Sequence, residues 1–158
     1  MKILISLQKD RNKPGKLTVY DAPLGAGRTS PCSCACLGKS DNAAAAAHGN
    51  PARNPLLPFG DIPTGTYAGV WSVPLIPARS YGPNPVLVLN PVSGDALTAK
   101  NNGRFGLLIH GGDLNAAGKF RPTHGCVRVG NDDMAWLAGL GGEREGEGDG
   151  EINCLHYR

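Results

Sequence analysis

Glycine and proline recur from one end of this chain to the other, and that limits what it can fold into. The 158 residues hold 23 Gly and 13 Pro, roughly twice the average share of these breakers. Both residues end helices and strands and supply turns, so long helices and coiled coils are excluded. Short strands joined by turns fit. Apolar residues at 41% are enough for a core, and charged residues at 18% argue against disorder. The length fits a single domain over residues 1–158.

The strand pattern can be followed along the chain. Lys2 to Leu7 and Lys16 to Asp21 alternate around the turn Asn12-Lys13-Pro14-Gly15, which predicts a hairpin. Pro31 to Leu37, Thr66 to Val73, Val86 to Leu89, Phe105 to Ile109, Cys126 to Val129 and Ile152 to Tyr157 read as further strands. Asp41 before five alanines caps a short helical turn, and His48 to Pro63 is a proline-rich loop. One clear helix opens at Asn131, with Asp132 and Asp133 complementing its dipole, and ends by Gly139 to Gly142. An acidic, glycine-rich loop follows, from Gly142 to Gly150. The expectation is a mainly β sandwich or barrel of seven or eight strands, with one short helix after Cys126.

Several functions lose support at once. The 16 Lys and Arg are scattered and give a net charge of only +3, so no nucleic-acid stripe forms. No apolar run approaches the ~18 residues of a membrane span. The opening Met1 to Asp10 carries a short apolar patch interrupted by Lys9 and lacks the core of a signal peptide. On that reading the protein is made in the cytoplasm, and work in the periplasm or cell wall needs another export route. Cys32, Cys34 and Cys36 share one face of a strand. They read as small buried hydrophobes, as partners in a strained disulfide, or as metal ligands completed by Cys154 or His156.

The chemistry concentrates in Ile109-His110-Gly111-Gly112-Asp113 and Thr123-His124-Gly125-Cys126-Val127-Arg128-Val129. A free thiol titrates near about 8.5, so it needs a base, and a nearby guanidinium favours the anion. Glycines beside the thiol let a carbonyl approach and free N–H groups for an oxyanion. Three readings stand on the residues alone. Cys126 and His110 form a nucleophile and base; His110, His124, Cys126 and Asp113 hold zinc; or His110 ends a core strand and Cys126 is a buried small residue.

These segments resemble the L,D-transpeptidase catalytic domain (YkuD-like), whose pattern is His-Gly or His-Ser, a loop, then Ser/Thr-x-Gly-Cys-x-Arg. Gly60-Asp61-Ile62-Pro63-Thr64-Gly65-Thr66-Tyr67 resembles the family's upstream Thr-Pro-x-Gly-x-Tyr element, with Ile62 in place of the threonine. The resemblance implies a β-sandwich with the site at one end. It makes Cys126 the nucleophile, His110 the base and the Gly111 carbonyl the group that orients the imidazole. Thr123 belongs to the motif, His124 lines the cleft, and Gly125 and Cys126 offer N–H groups to the oxyanion. Arg128 orders the loop or binds a substrate carboxylate, with a structural salt bridge as the plain alternative. Tyr67 walls the donor groove, and Trp71 packs in the core.

The implied substrates are peptidoglycan stem peptides. Attack on a tetrapeptide stem expels D-alanine, and the thioester passes to an amine, a D-amino acid or water. No metal and no organic cofactor is implied, and carbapenems typically acylate thiols of this family. Two other uses of the scaffold remain open. One is an interbacterial effector with a secretion apparatus and an immunity protein as partners; the other is a non-catalytic or metal-binding module. All catalytic readings require the imidazole at 110 within reach of the sulfur at 126.

Overall fold

The computed structural model describes residues 1–20, 31–74, 79–140 and 151–156. Among these residues eight strands close into a barrel: β1 (Lys2–Leu7), β2 (Gly15–Tyr20), β3 (Cys32–Leu37), β4 (Gly65–Ser72), β5 (Val86–Ser93), β6 (Leu108–His110), β7 (Val127–Val129) and β8 (Glu151–His156). Around the wall they run β1-β2-β3-β7-β6-β5-β4-β8, and β8 returns to β1. The described connections carry three helices: α1 (Asn42–Ala47), α2 (Asp95–Asn101) and α3 (Asn131–Leu140). The acidic stretch 142–150, with Asp21 and Tyr157 at the expected strand ends, lies outside the described residues.

Period-two alternation fills the barrel. Ile3, Ile5 and Leu7 of β1 point in with Leu17 and Val19 of β2, while Lys2 and Lys16 stay exposed. Gly15 opens β2 because a Cβ there would meet the Ser6 carbonyl at 2.5 Å. The cysteine-rich β3 aims its thiols inward: Cys36 joins the core with Cys154 of β8, and Cys34 packs against it. Cys36 is a buried free thiol, so the strand uses it as a small hydrophobe. Among the described residues, no group of three or more His, Cys, Asp or Glu is placed to hold a metal ion.

Three differences from the sequence reading have local causes. β5 continues to Ser93 through Pro91, because the register shifts opposite Thr66 and Tyr67 and the irregularity accommodates the missing N–H. β6 starts at Leu108 rather than Phe105, since Gly106 turns at φ +70° and leaves Phe105 exposed. α2 carries no strong sequence signal; its seven residues bury only Ala96 and Ala99. α1 is the short turn expected, with the Asp41 carboxylate accepting from the Ala44 N–H at 2.8 Å.

The pairing that positions the site is β6 with β7. It is parallel, with Ile109 opposite Val127 and His110 opposite Arg128. A parallel pair needs a long connection, and residues 111–126 supply it. Both chemistry-bearing segments of the sequence flank that connection.

Candidate active site

Alternation sorts the β6–β7 pair into two faces. Ile109, Val127 and Val129 are wholly buried in the barrel. His110 and Arg128 therefore project from the outer side, and Cys126, two positions before Arg128, shares that side. Ladder spacings put the Cα atoms of His110 and Cys126 about 8 Å apart, a gap two such side chains can span. Although they lie outside the barrel wall, His110 is only 2%, Arg128 3% and Cys126 8% exposed. Two loops roof them. Tyr81 sets its ring edge-on to His110 at 5.1 Å, and Gly60 lies against Gly125.

The imidazole is held by its own neighbour. His110 Nδ1 lies 2.6 Å from the Gly111 carbonyl, the orienting contact that the resemblance implies. Arg128 Nη1 donates to the same oxygen at 3.1 Å. Arg128 therefore orders the loop, and among the described residues it forms no salt bridge with an acidic side chain. Its Nε is buried and without a partner among the described residues. Gly112, at φ +130°, admits no side chain: a Cβ would meet Arg128 Nη1 at 1.9 Å and the Ser80 carbonyl at 2.6 Å. The Asn131 side chain, at the first residue of α3, accepts from the Gly112 N–H at 2.8 Å and ties the helix start to this loop.

Burial dominates the electrostatics. It pushes His110 down to about 4, against hydrogen bonds from the ring to the Gly111 and Ser80 backbones, and the Arg128 charge adds to the drop. Burial pushes the Cys126 thiol up to about 11, opposed by a Leu108 backbone hydrogen bond and by the charges of Arg104 and Arg128. The resting pair is neutral imidazole beside neutral thiol, not a preformed ion pair. Stability should depend on pH accordingly. The unfolded chain takes up the His110 proton first, so stability falls as pH drops from about 6.5 toward about 4. Unfolded thiols ionise first on the alkaline side, so stability falls as pH rises from about 9 toward about 11 for Cys126 and about 12 for Cys154. Urea midpoints measured across this range should show a plateau between the two slopes; a flat acid limb would contradict the neutral buried imidazole.

Two contacts bear on the chemistry. The Cys126 thiol donates to the Gly106 carbonyl at 3.5 Å. Transfer of the thiol proton to His110 therefore needs the sulfur to turn away from Gly106, a tightening common when substrate binds. The N–H groups expected to serve the oxyanion are also engaged. The Thr123 hydroxyl accepts from Gly125 N at 3.0 Å and Cys126 N at 2.8 Å, and donates to the Cys126 carbonyl at 3.0 Å. Thr123 thus braces the turn that carries the thiol, and a parallel bridge to Ser40 holds Thr123 itself.

The remaining sequence candidates divide. His124 is exposed and faces Phe59 at 5.6 Å, and Phe59 stacks flat on His48 at 3.6 Å. Phe59 adopts φ +59°, strained for an aromatic residue. Tyr67 lines no groove: it is 1% exposed, in the core, and its hydroxyl donates to the Pro63 carbonyl at 2.6 Å. Its neighbour on β4, Trp71, packs against the core as expected. Asp61 is structural, accepting from Ser40 N at 2.7 Å and pairing with Arg53 at 3.6 Å.

Sequence reasoning missed Arg104. Its guanidinium is 3% exposed and donates to the carbonyls of Pro55, Asp61 (2.6 Å), Gly60 (2.6 Å) and Gly125 (3.3 Å). Burial pulls it down to about 10, still cationic at neutral pH. Only the fold reveals it, since no motif surrounds it in the sequence.

Comparisons with known proteins place the chain in a family and match its fold. The family model for the YkuD L,D-transpeptidase catalytic domain matches residues 28–143. A solved structure of Bdellovibrio bacteriovorus Bd1075 aligns with 96% of the chain at 19% identity and a TM-score of 0.53, a likeness of fold. The alignment covers 46% of that protein's chain, so the present chain spans less than half of it. No curated protein sequence matches the chain.

Proposed function

The chain belongs to the YkuD L,D-transpeptidase catalytic domain family, and from that premise we propose that it is a cysteine acyl transferase acting on peptidoglycan tetrapeptide stems. The observation that supports this most is the shared outer face of β6 and β7: His110, held by the Gly111 carbonyl, stands opposite Arg128, and Cys126 lies two positions before that arginine.

The mechanism starts from the neutral pair. A stem carbonyl enters beside the sulfur, which leaves Gly106. His110 takes the thiol proton as the thiolate forms a C–S bond to that carbonyl carbon. Desolvation makes the imidazole a weak base at rest, and the developing thiolate offsets that weakness by stabilising the imidazolium. The oxyanion meets the His124 N–H, the member of the turn that Thr123 leaves untouched, and the unpartnered Nε of Arg128. Collapse breaks the C–N bond, and His110 returns its proton to the departing D-alanine amine. The thioester then awaits an acceptor that His110 deprotonates. A stem amine yields a 3→3 cross-link, a D-amino acid an exchanged stem, and water a trimmed stem.

The test is mass spectrometry of products after incubation with purified disaccharide-tetrapeptide. The expected result is loss of the terminal alanine, with dimer, exchanged or trimmed stem reporting the acceptor. An unchanged tetrapeptide, with and without added D-amino acid, would sink the proposal.

A further inference from the structure

Two glycines of the site each lie flat on a buried guanidinium. Gly112 rests on Arg128, a residue of the motif. Gly125, at φ +116°, rests on Arg104, which lies outside it; a Cβ there would meet Arg104 Nη2 at 2.2 Å. The fold delivers Arg104 deliberately. α2 ends through Gly103 at φ +84°, and the Arg104 N–H closes on the Ala99 carbonyl at 3.0 Å. Asn102, at the same helix end, donates to the Leu56 carbonyl at 3.0 Å. The end of α2 is thereby fixed to the proline-rich loop beside the site.

What surrounds the Arg104 guanidinium is telling. Among the described residues its acceptors are all main-chain carbonyls, and no carboxylate lies at ion-pair distance from it. The nearest carboxylate in sequence to those acceptors, on Asp61, is paired with Arg53. A buried cation with no carboxylate in direct contact is costly and favours formation of an anion nearby. Tyr67, Cys126 and Asp61 all lie close enough to couple to this charge, and of the three only Cys126 follows directly on the Gly125 carbonyl that Arg104 holds.

Resting on the acyl-transfer reading above, we propose that Arg104 is a positioning residue of the reaction. It fixes the Gly125 carbonyl, and so the thiol-bearing turn, against the 55–61 loop, and its charge favours the thiolate when the proton leaves. Its two roles separate by substitution. Arg104→Gln removes charge and fork together. Arg104→Lys keeps the charge and loses the grip on several carbonyls at once.

The experiment follows alkylation of Cys126 by iodoacetamide against pH, read on the Cys126 peptide by mass spectrometry, with kcat and KM on disaccharide-tetrapeptide. In Arg104→Gln the alkylation midpoint should rise by about one pH unit or more, and kcat should fall roughly 10- to 100-fold with little change in KM. Arg104→Lys should keep the wild-type midpoint while kcat falls. A glutamine variant with a native circular-dichroism spectrum and an unmoved midpoint overturns the proposal. So does a lysine variant whose midpoint rises, and the lysine variant carries the test alone if the glutamine variant does not fold. Failure of both to fold makes Arg104 a folding residue and also overturns it. Alkylation needs no turnover, so a wild-type protein without products would defeat the acyl-transfer reading and still leave this comparison legible.

Discussion

Cys126→Ala should reduce turnover of disaccharide-tetrapeptide by at least about 10⁴-fold, to background. The substitution removes one sulfur atom from a residue that is 8% exposed and otherwise fills little volume, so the fold should survive. What disappears is the atom that must form the acyl bond, and the two thiols sealed in the barrel cannot replace it. Cys36 and Cys154 lie in the barrel core, and burial pushes both well above the ordinary thiol range. A carbapenem provides the second readout. Attack by the Cys126 sulfur opens the lactam ring and adds the whole drug mass to one peptide. That adduct should appear on the wild-type protein and be absent from Cys126→Ala. A full-strength adduct on the alanine variant would place the reactive thiol elsewhere. Stoichiometric zinc with no wild-type adduct would favour the metal-binding reading.

The second large effect is at Gly125. Gly125→Ala should lower stability by several kcal/mol, roughly 3 or more, and reduce kcat about 100-fold in whatever fraction folds. Two costs combine. The residue sits at φ +116°, where an L side chain is strained, and its Cβ would meet both Arg104 Nη2 at 2.2 Å and the Gly60 carbonyl at 2.7 Å. The Gly60 atom is backbone and the guanidinium is anchored on carbonyls, so neither can move aside cheaply. Displacing them shifts the turn whose N–H groups Thr123 holds, and the sulfur moves with it. Gly139, with nothing near its Cβ position, is the matched control: its alanine variant should be close to neutral in both thermal melting and kcat. Equal behaviour of the two variants would refute the account of Gly125.

Much of this fold is visible in the chain because alternation and breakers act locally. Ile3, Ile5 and Leu7 announce β1, and the cysteine spacing announces β3, with no tertiary knowledge needed. The motif residues likewise announce themselves. What stays hidden depends on contacts distant in sequence. Tyr67 sits in a family-like segment, yet whether it faces a groove or the core is decided by strand register. The engagement of the Gly125 and Cys126 N–H groups depends on the rotamer of Thr123. Arg104 is one arginine among many in the sequence, and only the meeting of α2, the 55–61 loop and Gly125 gives it a role. The sulfur's hydrogen bond to Gly106 is equally beyond reach, since the same spacing is compatible with other partners.

The closing strand has a further consequence for how the protein is made. β8 hydrogen-bonds to β1 in parallel and to β4 in antiparallel fashion, so both strands wait for a neighbour that lies far downstream in the sequence. Until then Lys2–Leu7 and Gly65–Ser72 present open edges to any other chain, the hazard that sheet closure removes. Such distant pairing raises contact order and slows folding. Productive expression should therefore favour slow synthesis and low temperature, where fewer half-finished barrels meet one another.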